Sequence, residues 1–303
     1  MNRLVPLLLS VLLSIAAFAQ NPAPQAPTGP IADANKLVNE GKLDDALAAY
    51  QKIAAADPKN WDAHRGMGVV LDLEGKYAEA RKHLQEAIDL APTDSKPAAW
   101  RTMAMSYAFD RNAKEIERYQ KQVFDYRMSK YDLQGSAEIA NEAARMLLES
   151  GDINGAEKWY RLGHETILKK TDLADKDKDL WEFRWESAQA RIAARRGNHA
   201  DAQKHADAGK ALIDKGTNPE QAQYVPYVYG YNAFYAAEYK TAVDEFSKSN
   251  PNDPFNLVMI AQAYDKMGNK TKAKEYYERV LKANAHNPTN AYARPIAQKK
   301  VKS

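Results

Sequence analysis

The stretch GKLDDALAAYQKIAAADP, Gly41 to Pro58, is echoed 34 residues later by GKYAEARKHLQEAIDLAP, Gly75 to Pro92. In the second copy the apolar residues are Tyr77, Ala80, Leu84, Ala87 and Ile88. Their spacing traces one face of an α-helix. Gly75 precedes this helix as a turn residue, and Pro92 ends it. Upstream of Gly75 lies another apolar-periodic segment, Trp61 to Leu73. The unit is therefore helix, tight turn, helix, stop. One helix pair cannot bury its own apolar face, so repetition predicts stacked copies sharing a continuous core.

Counting from Trp61, small and large residues alternate at Met67, Gly68, Leu71, Gly75, Tyr77, Ala80, Leu84, Ala87 and Pro92. The earlier copy fills the same frame with Ala34, Leu37, Gly41, Leu43, Ala46, Tyr50, Ile53 and Pro58. Length and pattern together resemble the tetratricopeptide repeat (TPR) family. Looser copies follow. The third has Trp100, Ala104 and Tyr107, turns at Arg111-Asn112, and carries Ile116 where a small residue is usual. The fourth has Leu147, Gly151, Ala156 and Tyr160, and the fifth Ala190, Gly197, Ala202 and Ala206. The sixth has Tyr229, Gly230, Ala242 and Phe246, and the seventh Tyr264, Gly268, Ala273 and Tyr277. The repeat frames run over 27–60, 61–94, 97–130, 137–170, 183–213, 223–253 and 254–287. The resemblance implies an all-α, right-handed superhelical solenoid of about seven antiparallel helix pairs, spanning 31–288.

The flanks differ from the repeats. Arg3, then the apolar run from Leu4 to Phe18, then Ala17-Phe18-Ala19, match a secretory signal peptide over 1–19. The apolar run is too short for a spanning helix. The mature chain is thus expected to be exported, periplasmic or extracellular, after cleavage near Ala19/Gln20, with no membrane span. Residues 20–30 hold four prolines and read as a linker. Pro288 and Pro295 read as helix stops, and 289–303 as a cap that frays into a basic tail. Lys169–Asp179 and Asp214–Ala222 break the register and read as solvated connectors.

Little in the chain suggests chemistry. There are no cysteines, which excludes thiol catalysis and makes structural zinc implausible. The six histidines form no H-E-x-x-H pair. No P-loop, dinucleotide fingerprint or G-x-S-x-G elbow is present. Asp175, Asp177, Asp179 and Glu186 mimic a Ca²⁺ loop, but Leu180 stands where glycine is needed. A net charge of +3 gives no nucleic-acid footprint. The expectation is a non-enzyme with no cofactor and no metal.

One segment departs from the template. Tyr224 to Tyr239, YVPYVYGYNAFYAAEY, contains seven aromatic residues in 16. Pro226 fits near a helix start, so the segment reads as the first helix of the sixth repeat. In the TPR family, the second, fifth, ninth, twelfth and thirteenth positions of that helix line the concave groove. The resemblance places Tyr224, Tyr227, Tyr231, Phe234 and Tyr235 there. In the fifth repeat it places Arg184, Ser187, Arg191, Ala194 and Arg195 there. Aromatic and arginine side chains favour binding hot spots, although rings at helical spacing also serve as packing. The implied function is an exported scaffold whose groove binds a protein or peptide partner. The alternative is an envelope assembly or chaperone-like adaptor with broad client binding. The Lys/Asn clamp of chaperone-tail binders is not evident, since Ile31 and Asn35 occupy groove positions in the first repeat.

Overall fold

A computed structural model describes residues 29–302. The expected leader and nearly all of the proline-rich linker lie outside the described residues. Those described form fifteen α-helices and two short 3-10 turns, with no strand. The first fourteen helices are seven consecutive pairs. These are α1 (Pro30–Asn39) with α2 (Leu43–Ala56), α3 (Trp61–Glu74) with α4 (Tyr77–Leu90), and α5 (Lys96–Phe109) with α6 (Ala113–Ser129). Next come α7 (Leu133–Ser150) with α8 (Ile153–Ile167), and α9 (Asp175–Arg195) with α10 (His199–Asp214). The last are α11 (Val225–Tyr235) with α12 (Tyr239–Lys248), and α13 (Pro254–Lys266) with α14 (Lys270–Val280). No helix among the described residues is long and apolar enough to cross a membrane.

Local chemistry sets each pair. Every turn inside a pair uses one residue in the left-handed region. At Gly75, with φ 87°, the Gly75 and Lys76 amides donate to the Asp72 and Leu71 carbonyls and close α3. Two pairs make the same turn without glycine, at Arg111 (φ 61°) and Ala237 (φ 62°). Side-chain caps start several helices, as where Asn60 accepts from the Ala63 amide at 3.0 Å. Small residues permit close approach between helices. A methyl group at Gly66 would collide with the Tyr50 ring. One apolar core then runs continuously from Ala34 to Ala297.

The two connectors that break the register meet each other. Lys215 and Thr217 bond Asp179 at 2.7 and 2.9 Å, and Asn218 donates to the Lys176 carbonyl at 2.8 Å. The charged run is only partly a connector, because Asp175 opens α9 and Leu173 is buried against Trp181. Asp175, Asp177 and Asp179 are thus helical, which is incompatible with a Ca²⁺ loop.

The C-terminus differs from the frayed tail anticipated above. Residues Pro288–Lys302 form α15, which continues through Pro295. It packs on α13 and α14, and also on α5 and α7, across the inner side of the solenoid. Ala291, Ala293 and Ala297 are its buried contacts. Arg294 Nε donates to the Leu73 carbonyl at 2.6 Å, and its Nη1 to the Ala283 and Leu281 carbonyls at 2.7 and 3.2 Å. Gln298 donates to the same Leu73 oxygen at 3.0 Å. One guanidinium thus serves carbonyls near the ends of α3 and α14, where helices leave acceptors unpaired. Just before α15, His286 Nε2 lies 2.9 Å from Asp72 Oδ2, and the Ser106 hydroxyl donates to Asp72 Oδ1 at 2.8 Å. These bonds and the buried alanines hold the helix despite its internal proline.

Candidate functional site

With α15 in place, clefts remain among the described residues, two of which concern us. The smaller, about 280 Å³, lies beside the first three pairs and includes Asn35, Tyr50, Arg65, Arg101, Asn284 and His286. Nearby, Ser106, Asp72 and His286 are linked in that order. The serine hydroxyl donates to the carboxylate rather than to the imidazole, which is not the Ser–His pairing of a nucleophilic site.

The larger cleft, about 610 Å³, is built from α7, α8, α9 and α11, and the start of α15 closes one side. Its walls follow a simple rule. The second, fifth and ninth positions of the repeat frames that begin at 137, 183 and 223 supply Glu138, Asn141 and Arg145, then Arg184, Ser187 and Arg191, then Tyr224 and Tyr227. Tyr160, Phe183 and Val228 complete the floor, with Asp253 and Asn287–Thr289 opposite.

The sequence-derived residues divide here. Tyr224, Tyr227, Arg184 and Arg191 line the cleft. Tyr224 is 45% exposed on its rim. Tyr231, at the ninth position of the frame that begins at 223, is fully buried. Its ring stacks on Phe255 at 6.1 Å and meets Tyr235 at 4.8 Å. Phe255 in turn carries Tyr292 of α15 at 5.2 Å. Phe234 packs on Tyr235 and Tyr239. Arg195 approaches the Tyr231 hydroxyl and Glu149 Oε2, each at 3.4 Å. Tyr231, Phe234, Tyr235 and Arg195 therefore sit among the joints between repeats rather than on the cleft wall.

The electrostatics of the floor are unbalanced. Beside Arg145, Arg191 and Arg195 lies the buried carboxylate of Glu149, and only Arg145 and Arg195 reach it. Arg145 Nε reaches Glu149 Oε1 at 3.3 Å, and Arg195 takes the other oxygen. Among the described residues, Arg191 has no carboxylate within bridging distance. Its Nε donates to the Ser187 carbonyl at 3.1 Å, and its Nη1 reaches the Tyr227 hydroxyl only at 3.5 Å. The guanidinium of Arg145 lies over the rings of Phe255 and Tyr227, at 4.4 and 5.2 Å. Burial pushes the Tyr227 hydroxyl up to about 12, so it remains a neutral donor at physiological pH. Burial also raises the Asp253 carboxyl, against the pull of Arg145 and the Asn256 and Phe255 amides that it caps. The other wall carboxylate with a defined partner, Glu142, accepts from Arg101 and Gln120.

Sequence reasoning missed Arg145, Tyr160, Phe183, Asp253 and the α15 residues. Arg145 was within reach, since the groove template laid on the fourth repeat lands on Glu138, Asn141 and Arg145. Asp253 and Asn287–Thr289 carry no such marker. Among the described residues, no group of histidines and carboxylates is arranged to hold a metal ion.

Comparison with known proteins agrees with the helix pairing. Family models described as tetratricopeptide repeat match residues 32–95 and 256–287, the first two pairs and the seventh. The chain is a helical-repeat protein that carries tetratricopeptide repeats. A crystallised tetratricopeptide repeat protein from Parabacteroides merdae is similar, with a TM-score of 0.54 at 12% identity. The alignment covers 90% of this chain and 96% of that one, and it speaks to fold alone. The Cut9 and Hcn1 assembly of the APC/C aligns at a TM-score of 0.40 and 16% identity, over 90% of this chain and 55% of that chain. That similarity is too low to carry an argument. No curated protein matches in sequence.

Proposed function

We propose that this protein is an exported scaffold that binds a partner segment in the cleft between α7, α9 and α11. The observation that carries this reading is the uneven use of the concave surface. The helix α15 covers the inner side beside α5 and α7, while the cleft of about 610 Å³ stays open and is walled by arginine and tyrosine. Such residues supply large contact area and fixed donor geometry at low entropy cost. Export rests on the N-terminal charge, apolar run and small-residue motif read from the sequence. Broad client binding has less support. The large side chains most exposed are Tyr131, Leu168, Tyr224 and Met267, which are scattered rather than forming a patch.

The test is crosslinking from the cleft in the cells that make the protein. A photoreactive residue replacing Tyr224 should capture one dominant partner. The same residue replacing Tyr131, on the exposed turn between α6 and α7, should capture none. Equal capture at both positions, or many unrelated chains at Tyr224, would refute the reading. Recovery of the protein only from the cytoplasm, with its leader uncleaved, would refute export.

A further inference from the structure

Two buried arginines in this molecule have nearly the same exposure, 7% each, and very different surroundings. Arg294 donates to three backbone carbonyls and is spent on structure. Arg191 has one carbonyl and one distant hydroxyl. Its neighbours on the same cleft are also incomplete. Among the described residues, the buried Arg145 Nη2, Tyr160 hydroxyl and Ser187 hydroxyl meet no hydrogen-bonding partner. Tyr160 is 4% exposed, and all three residues line the cleft. Each of these groups can donate a hydrogen bond. Unpaired buried donors and unneutralised buried charge are costly to a fold, and here they converge on one place.

We infer that this cleft binds the oxyanion of an organic acid, with its charge between Arg145 and Arg191 and its apolar body against Tyr227 and Phe183. The guanidinium groups supply charge and forked donors. Tyr160 and Ser187 add neutral donors that favour an acceptor. The carboxylates of the wall do not cancel this, because Glu142 is held by Arg101 and Gln120, and Asp253 caps α13. Glu138 stands on the exposed rim. The start of α15 faces the same cleft through Pro288 and Thr289, and a helix N-terminus further favours negative charge. The cleft is of a size that takes a small ligand. This inference rests on the cleft proposed above as the binding surface. The same chemistry would seat either a free acid or an acidic side chain of a partner.

Calorimetric titration of the mature full chain tests it with 4-phenylbutyrate, its neutral amide, inorganic phosphate, and a short peptide with one glutamate beside a phenylalanine. Phenylbutyrate should bind at least tenfold more tightly than the amide. Arg191→Met should abolish that binding with helical circular dichroism unchanged. Tyr160→Phe, which keeps the charge, should weaken it several-fold, and Arg65→Met in the smaller cleft should leave it intact. Equal binding of acid and amide, or full binding by Arg191→Met, would overturn the inference. Binding of phosphate without phenylbutyrate would overturn the apolar half of it. If phenylbutyrate binds and the peptide does not, the oxyanion site stands and the partner-segment reading fails. If both bind, both stand. If neither binds while a partner is still captured through Tyr224, only the oxyanion site fails.

Discussion

The concave surface of this solenoid is treated in two ways. Beside α5 and one side of α7 it is covered by the chain's own last helix, where Arg294 and Gln298 donate to the Leu73 carbonyl and His286, just before the helix, meets Asp72. Beside α7, α9 and α11 it is left open, and its polar groups are only partly paired. Both halves use the same helix-pair scaffold and both bury arginine. The difference lies in whether the protein completes the hydrogen bonding itself. A completed network marks an internal joint, and an incomplete one, reachable from solvent, marks a surface kept for something else.

The sharpest way to break this contrast is Tyr231, where the two halves touch through Phe255 and Tyr292. Tyr231→Ala removes a fully buried ring from that joint. A loss of about 3–5 kcal/mol is expected by chemical denaturation, as for other large core truncations. A stability change near zero would show that the ring is not part of the joint. Arg294→Met comes next. It keeps the length of the side chain but strips donors from the Leu73, Leu281 and Ala283 carbonyls. About 3 kcal/mol should be lost, and hydrogen exchange should accelerate along α15 while α8 stays protected. Tyr224→Ala is the opposite case, on the rim of the open half. Stability should change by less than about 0.5 kcal/mol, while partner capture from the cleft falls sharply. A fall in stability comparable to that of Tyr231→Ala would erase the distinction between wall and joint.

How far the two halves were readable from sequence follows from what each depends on. The helix pairs were legible because Gly75, Ala80, Leu84 and Pro92 act within one repeat, and periodicity reports local geometry. The role of α15 was not. Residues 288–302 contain a central proline and fit no repeat. Nothing near Arg294 in the chain reveals that it meets Leu73, more than 200 residues away. The aromatic run was half legible for a related reason. Helical spacing puts Tyr227, Tyr231 and Tyr235 on one side of α11, but it does not show that Phe255 and Tyr292 arrive from α13 and α15 to cover the later ones. Arg145 was legible from the template and simply needed the template to be carried one repeat earlier.

The smallest effects come from the two turns inside pairs that lack glycine, and they isolate what the inner helix contributes. Arg111 and Ala237 both hold a left-handed backbone that costs an ordinary residue about 1–2 kcal/mol. Replacing either with glycine releases that strain but adds freedom to the unfolded chain, which offsets part of the gain. Ala237→Gly does nothing else of note, because the alanine side chain is exposed in the turn. A net gain of about 0.5 kcal/mol is expected there, read as a small rise in melting temperature. Arg111→Gly releases the same strain but also removes a guanidinium that lies 5.0 Å from the Tyr292 ring of α15. Such contacts contribute about 0.5–1 kcal/mol at exposed sites, enough to cancel the gain. Ala237→Gly should therefore be more stable than the parent, and Arg111→Gly about equal to it. If the two substitutions stabilise equally, the Arg111 contact adds nothing to holding α15 in the groove, and the bonds from Arg294, Gln298 and His286 hold it alone.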